Sequence, residues 1–147
     1  MPYIQAVFTE IARYSSIVPL SIFHSTLEDV TFNGYRIPKD TMVVPNLYGV
    51  HHDPDVWGDP SKFRPERFMT SDGKFSKPGE AFMAFSVGKR VCVGEALARN
   101  TLFLFLANIC QRFKVIPNPA KPTPIIDYTP TFVLQPKPYE YVLLPRS

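Results

Sequence analysis

Apolar residues recur at helical spacing in two parts of this chain. The first is residues 1–15, and the second is residues 95–113, where helix formers dominate and no proline occurs before Pro117. This periodicity predicts two amphipathic helices, one at the start of the chain and a longer one in its second half. Four apolar residues of the first helix are expected to face a core: Ile4, Val7, Phe8 and Ile11.

Short runs rich in β-branched and aromatic residues predict strands between the two helices. Residues 29–32 and 35–37 flank Asn33-Gly34, a dipeptide that favours a tight hairpin. Residues 41–44 are expected to add a third strand to the same small antiparallel sheet.

Proline interrupts the C-terminal part of the chain. Residues 131–134 and 139–144 flank a turn with two prolines and predict a terminal hairpin. Residues 117–124 contain four prolines and predict a stiff connection after the long helix, in preference to a ligand for a proline-reading module. Taken together, the elements predict a fold that is mainly α with small antiparallel β-sheets, an α+β arrangement in one domain over residues 1–147.

Composition places the chain among globular proteins. Hydrophobic residues make up 45% of it and aromatic residues 14%, and 16 prolines indicate many irregular connections. A net charge of +3 is too small for a nucleic-acid groove, so no nucleic-acid partner is expected. Two cysteines make no disulfide framework and fit a reducing compartment. Since no apolar run reaches the roughly 18 residues of a spanning helix, we expect no transmembrane segment, and the segment alone is expected to be soluble and cytoplasmic.

Candidate chemistry centres on Cys92. Residues 85–94 place this cysteine between Gly88 and Gly94 and two residues after Arg90, just before the longest predicted helix. The positive end of a helix dipole stabilises an anion, which favours the thiolate form that ligates metals. The glycines allow the backbone to approach a flat, bulky group over the sulfur, and Arg90 suits a carboxylate. These residues together predict a seat for haem.

Other interpretations of these residues stay open at this point. Most lone cysteines are buried and inert, and Cys92 could also be a nucleophile with His51 or His52 as its base. The nucleophile hypothesis explains neither Arg90 nor the two glycines. His51, His52 and three nearby aspartates suggest a metal site, but no further His or Cys stands at zinc-like spacing. A short helix ending near His51, then a turn-rich loop in which Trp57 packs, is favoured instead.

The order of residues in this stretch resembles a known signature. Phe85-x-x-Gly88-x-Arg90-x-Cys92-x-Gly94 is similar to the haem-binding motif of the cytochrome P450 monooxygenases. The resemblance runs from Met1 to about Arg146, and it is to the last third of the family's chain, in particular that of microsomal animal enzymes of the family 2 type. It implies the C-terminal third of that fold and haem b (iron protoporphyrin IX) as cofactor. It also implies roles for six residues: Cys92 as axial iron ligand, Arg90 and His24 at the haem propionates, and Phe85, Gly88 and Gly94 against the cofactor.

The resemblance also implies a structural clamp and a substrate pocket. Glu10 and Arg13 match the family's Glu-x-x-Arg helix, and Arg67 lies in a segment similar to the family's Pro-Glu-Arg-Phe. These three residues are expected to form a buried ion network, because such charges persist inside a protein only when they are paired. Six residues are expected to line the pocket: Val18, Leu20, Ser21, Ile22, Phe132 and Val133.

The activity that the resemblance implies belongs to a parent enzyme, the longer polypeptide of which residues 1–147 would be a part. That enzyme inserts one oxygen atom of O₂ into an apolar organic substrate, namely a xenobiotic, fatty acid or steroid. An NADPH-dependent reductase supplies its electrons at the cytoplasmic face of the endoplasmic reticulum membrane. The family's N-terminal anchor and distal helix have no counterpart in residues 1–147, and no catalytic residue is expected among them. The alternative is a truncated, non-catalytic fragment or pseudogene product that retains part of the fold.

Overall fold

A computed structural model of the chain describes residues 1–129 and 131–146. The helices are α1 (Pro2–Ser15), α2 (Leu47–His51), α3 (Pro54–Trp57) and α4 (Glu95–Arg112), with 3-10 turns at Pro65–Phe68 and Gly88–Arg90. The strands are β1 (His24–Ser25), β2 (Val30–Phe32), β3 (Tyr35–Ile37), β4 (Met42–Val43), β5 (Phe113–Pro117), β6 (Tyr128–Thr129), β7 (Gln135–Pro136) and β8 (Tyr141–Pro145). The strands pair into small antiparallel two-stranded sheets, so the predicted fold class is confirmed.

Helix α1 buries its polar side rather than its apolar stripe. Of the four residues expected to face the core only Phe8 is buried, whereas Ile4 and Val7 are half-buried and Ile11 is exposed. The other buried residues of the helix are Ala6, Thr9, Glu10 and Arg13. The predicted orientation was therefore wrong, because the helix is turned by the buried Glu10 carboxylate, whose partner Arg67 lies 57 residues further along the chain.

The long helix was predicted at nearly the correct bounds but with the wrong pattern of burial. Helix α4 packs against α1 and continues directly into β5. Only Ala107 is buried among its residues, and five large apolar side chains are exposed: Leu97, Leu102, Leu104, Phe105 and Ile109. Since apolar residues lie around most of its circumference, α4 is not amphipathic within this chain.

The predicted hairpin is confirmed, but the expected third strand lies in another sheet. Strands β2 and β3 pair with Phe32 opposite Tyr35. The turn between them places Asn33 at φ 47° and Gly34 at φ +81°, the left-handed conformations that a tight hairpin turn needs. Strand β4 pairs instead with β1, with His24 opposite Val43. This pairing ties the irregular segment after α1 to the base of the hairpin.

The C-terminal pairing also differs from the prediction. Residues 139–144 do not form a hairpin with residues 131–134. Strand β8 pairs with β5 over five residues, and residues 131–134 lie between the short paired strands β6 and β7. Strand β5 offers β8 a ladder of five residues, and it follows directly on α4. Residues this far apart in sequence give no local indication of such a pairing.

No helix within residues 1–129 and 131–146 combines the length and the apolar character needed to cross a membrane.

Glycine is predicted to be required at position 34 because of its positive φ and not because of a lack of space. A Cβ added there would meet no atom within 4 Å, so Gly34→Ala should act only through its positive φ. We expect the free energy of unfolding to fall by about 1–2 kcal/mol, measured by urea denaturation. Gly79→Ala is the matched control, because Gly79 is equally open and lacks a positive φ. Equal effects of the two substitutions would contradict this explanation.

Candidate metal centre

The cysteine loop, residues 85–94, is closed by its own backbone. The Cys92 N–H donates to the Phe85 carbonyl at 2.9 Å, and the Val91 N–H donates to the Gly88 carbonyl at 3.2 Å. The Cys92 carbonyl then accepts from the Glu95 N–H at 3.2 Å, at the first residue of α4. The thiol is therefore fixed just ahead of the helix N-terminus, where the sequence places it.

The surface around the Cys92 sulfur has room for a flat apolar group. Cys92 is exposed, and a Cβ at Gly88, where φ is +69°, would meet no atom within 4 Å. A Cβ at Gly94 would lie 3.8 Å from the Cys92 sulfur, which is ordinary contact. Three apolar side chains of the loop are exposed: Val87, Val91 and Val93. A soft thiolate donor within uncovered apolar surface fits haem as its ligand.

Two aromatic residues near the loop are held by an arginine that the sequence analysis did not single out. The Arg99 guanidinium lies over the Phe85 ring at 5.0 Å and over the Phe82 ring at 5.7 Å. Glu95 holds Arg99 through an ion pair of 2.7 Å within α4. The spacing of these two charges indicates an ordinary helix-surface pair, so the sequence alone did not indicate the aromatic contacts.

The two residues expected to bind haem propionates, Arg90 and His24, lie on different elements. Arg90 is exposed at the end of the 3-10 turn of the cysteine loop. His24 is half-buried in β1, and its Nδ1 lies 2.7 Å from the Ile22 carbonyl oxygen. Because a carbonyl only accepts, Nδ1 carries a proton. His24 can then donate from Nε2 to a carboxylate only as the imidazolium.

The structure brings together the two segments that hold the expected pocket residues. The Leu134 N–H donates to the Ile17 carbonyl at 2.8 Å, and the rings of Phe23 and Phe132 meet edge to face at 6.0 Å. Of the six expected residues Ser21 is buried, Val18 is half-buried, and four are exposed: Leu20, Ile22, Phe132 and Val133. Phe23 was missed by the sequence analysis, since a single aromatic in an irregular segment has no periodicity.

Glu10 lies between the two arginines with which it was expected to form a network. Arg13 donates through Nε to Glu10 Oε2 and through Nη2 to Oε1, both at 2.8 Å, and both side chains are fully buried. Arg67 Nε lies 3.3 Å from Glu10 Oε1 and is 6% exposed. The Arg64 N–H also donates to Glu10 Oε1, at 2.9 Å. Four donors on one buried carboxylate compensate for its lost hydration.

The other hydrogen bonds of the two guanidiniums go to backbone carbonyls and to the Asp59 carboxylate, which the sequence could not indicate. Arg13 donates to the carbonyls of His51, at 2.7 Å, and Pro60, at 3.0 Å. Arg67 donates to Asp59 Oδ1 at 2.6 Å and to the Trp57 carbonyl. The network thus connects α1 with the whole segment from α2 to the 3-10 turn at residues 65–68.

His51 is a further buried titratable group at this network. Its Nε2 accepts the Met83 N–H at 2.9 Å, and its Nδ1 lies 2.8 Å from Ser16 Oγ, which donates to the Arg13 carbonyl. Nδ1 therefore carries the proton. Burial, then the nearby charges of Arg13 and His52, lower the pKa of His51 from 6.5 to about 4. Because both ring nitrogens are occupied, His51 is not a free base for Cys92.

Alternative sites in the described residues would be another metal site or another groove that could bind a ligand. Within residues 1–129 and 131–146, no group of three His, Cys, Asp or Glu side chains could hold a metal ion. An open apolar groove of about 340 Å³ lies near the end of α4, lined by Ile109, Val115 and Tyr141 among others. None of the residues expected to bind haem or substrate lines this groove.

Removal of the Glu10 charge should destabilise the fold strongly. Glu10→Gln leaves the buried Arg13 guanidinium without a carboxylate and removes one of the two carboxylates of Arg67. We therefore expect the free energy of unfolding to fall by about 3–5 kcal/mol, measured by urea denaturation. Glu28→Gln removes an exposed carboxylate and serves as control, with an expected change within about 0.5 kcal/mol. A small effect at Glu10 would show that the network does not depend on its charge.

His51 should make stability depend on pH in a defined window. Above pH 6.5 the imidazole is neutral in both the folded and the unfolded states. Between pH 6.5 and about 4 only the unfolded chain binds a proton there, so the free energy of unfolding decreases as the pH falls, by about 3 kcal/mol in total.

Urea denaturation from pH 7.5 to 4 measures this dependence, and His51→Gln should remove the part due to His51. Carboxylates titrate equally in both proteins, so the difference between the two curves isolates the imidazole. Superimposable curves would refute the assignment.

The chain is similar to proteins of one family along nearly its whole length. The sequence profile described as Cytochrome P450 matches residues 1–143. The chain is 47% identical over 147 residues to cytochrome P450 1A2 of Balaenoptera acutorostrata, covering 97% of this chain and 28% of that protein. It is 43% identical over 146 residues to cytochrome P450 2D6 of Homo sapiens, covering 99% and 29%. It is also 45% identical over 136 residues to cytochrome P450 1A1 of Pleuronectes platessa, covering 91% and 26%.

The chain spans between a quarter and a third of the length of these relatives. The profile nevertheless covers α1, the cysteine loop and α4 in one continuous match. This chain therefore belongs to the cytochrome P450 family of haem monooxygenases.

Proposed function

We propose that residues 1–147 are the haem-binding segment of a cytochrome P450 monooxygenase and that Cys92 is the axial iron ligand of its haem b. The observation that carries this proposal is the exposed Cys92 thiol, fixed just before α4 beside two glycines that leave space over it. The parent enzyme inserts one oxygen atom of O₂ into an apolar organic substrate.

The contribution of Cys92 is its negative charge. Its backbone N–H donates to the Phe85 carbonyl, and its sulfur lies 3.8 Å from the place of a Cβ at Gly94, the residue before α4. Haem, when bound, supplies the oxygen-activating chemistry, and a thiolate donor directs electron density towards its iron.

Other residues of the segment orient the cofactor. Arg90, exposed at the end of its turn, is proposed to pair with one haem propionate, and the His24 imidazolium to donate from Nε2 to a propionate. Phe85 is proposed to pack against the macrocycle. Its ring is already held by Arg99 at 5.0 Å, so little side-chain freedom is lost on binding.

The substrate is proposed to be an apolar organic molecule such as a xenobiotic, fatty acid or steroid. Residues 17–23 and 131–134 come together through the Ile17–Leu134 hydrogen bond and the Phe23–Phe132 contact. The six proposed pocket residues on these segments are Val18, Leu20, Ser21, Ile22, Phe132 and Val133. Most of them are apolar, which suits a substrate that is transferred from water by the hydrophobic effect.

The electron donor is proposed to be an NADPH-dependent reductase. Lys89 and Arg90 are exposed at the cysteine loop and give it a basic surface that suits an acidic partner. The parent enzyme is proposed to act at the cytoplasmic face of the endoplasmic reticulum membrane, as its similarity to microsomal animal enzymes implies.

A second candidate is a truncated, non-catalytic product that retains part of the fold. The chain spans 26–29% of the relatives' length, which is compatible with both proposals. Sequencing the transcript upstream of the Met1 codon distinguishes the two proposals. An open frame that encodes the rest of a cytochrome P450 excludes the truncated product, and an in-frame stop codon supports it.

The ligand assignment predicts a loss of the thiolate spectrum in Cys92→Ser. The reduced, carbon monoxide-bound protein should show the thiolate-type Soret shift in the wild type and lose it in the variant, because a neutral hydroxyl does not replace the thiolate. Cys110→Ser is the matched control, since Cys110 is also an exposed thiol of this segment. A shift that survives Cys92→Ser would refute the proposal.

A further inference from the structure

We propose that His51 is a positioning residue for the metal centre, which holds the cysteine loop in place by accepting the Met83 N–H. The inference rests on the proposed role of Cys92 and adds to it a residue 41 positions earlier in the chain. It concerns the orientation of the ligand and not any contact with the reacting atoms.

The His51 ring forms hydrogen bonds with two different parts of the protein. On one side, Nδ1–H donates to Ser16 Oγ at 2.8 Å, and Ser16 Oγ donates to the Arg13 carbonyl at 2.8 Å. On the other side, Nε2 accepts from the Met83 N–H at 2.9 Å. Arg13 also donates to the His51 carbonyl. The ring therefore connects the buried Glu10 network with the chain that enters the cysteine loop.

From Met83 the connection continues to Cys92 through backbone hydrogen bonds. The Met83 carbonyl accepts from the Ser86 N–H at 2.8 Å, and the Phe85 carbonyl accepts from the Cys92 N–H at 2.9 Å. Ser86 lies between them at φ 63°, a left-handed conformation that a residue other than glycine adopts at a cost. Such a turn persists when its neighbours are fixed, and the acceptor at His51 fixes Met83.

The site between Ser16 Oγ and the Met83 N–H requires a side chain that donates a hydrogen bond at one end and accepts one at the other. A neutral imidazole does both across about one ring width. The charged groups that face it are Arg13 on α1, with Glu10 behind it, and His52, the residue after α2. The positive ones disfavour the imidazolium. Phe82 packs on the ring at 5.9 Å from the remaining side. The surroundings thus keep Nε2 as an acceptor.

Two substitutions at His51 separate its two hydrogen bonds. In the longer side chain of His51→Gln an amide oxygen can reach the place of Nε2, whereas in His51→Asn the amide reaches only the place of Nδ1. Both are made in the complete haem protein that carries this segment. The two readouts are backbone amide exchange at Met83 and the Soret band of the reduced carbon monoxide adduct.

We expect His51→Gln to keep both readouts close to the wild type. His51→Asn should raise Met83 amide exchange by about tenfold, the effect of one lost hydrogen bond, and should convert part of the adduct to a form without the thiolate-type shift. Ser16→Ala is the matched control. It removes the other partner of the ring and leaves the Met83 acceptor, so it should lower stability without changing the spectrum.

Three results would overturn the proposal. His51→Asn could leave Met83 exchange and the spectrum unchanged, His51→Gln could lose the thiolate form as fully as His51→Asn, or Ser16→Ala could change the spectrum as much as His51→Asn. If His51→Asn does not fold, acidification of the wild type decides. As the pH falls, amide exchange at Met83, corrected for its intrinsic rate, should increase over the same pH range in which the thiolate band is lost. Neither change should occur over that range in His51→Gln.

The test also distinguishes this proposal from the ligand assignment. If Cys92→Ser kept the thiolate-type shift, the proposed role of Cys92 would fail. Met83 exchange in the His51 variants would still report whether His51 holds the segment. If Cys92→Ser lost the shift and His51→Asn did not, only the positioning role would fail.

Discussion

The burial of one carboxylate organises this structure. Glu10 is removed from water, and the cost of that removal is offset only because Arg13, Arg67 and a backbone N–H all donate to it. Those donors come from α1 and from the segment around residues 64–67, so the two must meet for the charge to be tolerated. The same requirement turns α1 so that its polar side is inside and Ile11 is exposed.

The network reaches the candidate metal centre through polar contacts and through the rings of Phe68 and Phe82, which meet edge to face at 6.1 Å. Arg13 holds the His51 carbonyl, and the His51 ring holds Met83 at the entrance to the cysteine loop. On the opposite side, Arg99 of α4 lies over the aromatic rings of Phe82 and Phe85. The cysteine loop itself has few buried side chains. Its position is therefore determined by hydrogen bonds and by cation–π contacts with the elements on either side.

Sequence patterns correctly predicted the elements that are determined by neighbouring residues. The Asn33-Gly34 turn specifies its hairpin, because few residues adopt two successive left-handed conformations. The run of helix formers from Glu95 specifies α4, and the spacing around Cys92 placed the thiol just before it. The pairing of β5 with β8, of β1 with β4, and the buried side of α1 depend on residues far apart in sequence. The periodicity of apolar residues does not report contacts between distant residues, and the predicted pairings and the predicted buried side of α1 were wrong.

The sequence by itself determined the family, the position of the thiol and the type of each main element, because a motif and its spacing are properties of neighbouring residues. Only the tertiary structure decided which charges are buried and which strands pair. It also decided that both ring nitrogens of His51 are hydrogen-bonded, one to Ser16 and the other to Met83. The physical reason is that desolvation depends on every group that surrounds a charge. Those groups here come from segments separated by tens of residues, which only folding brings together.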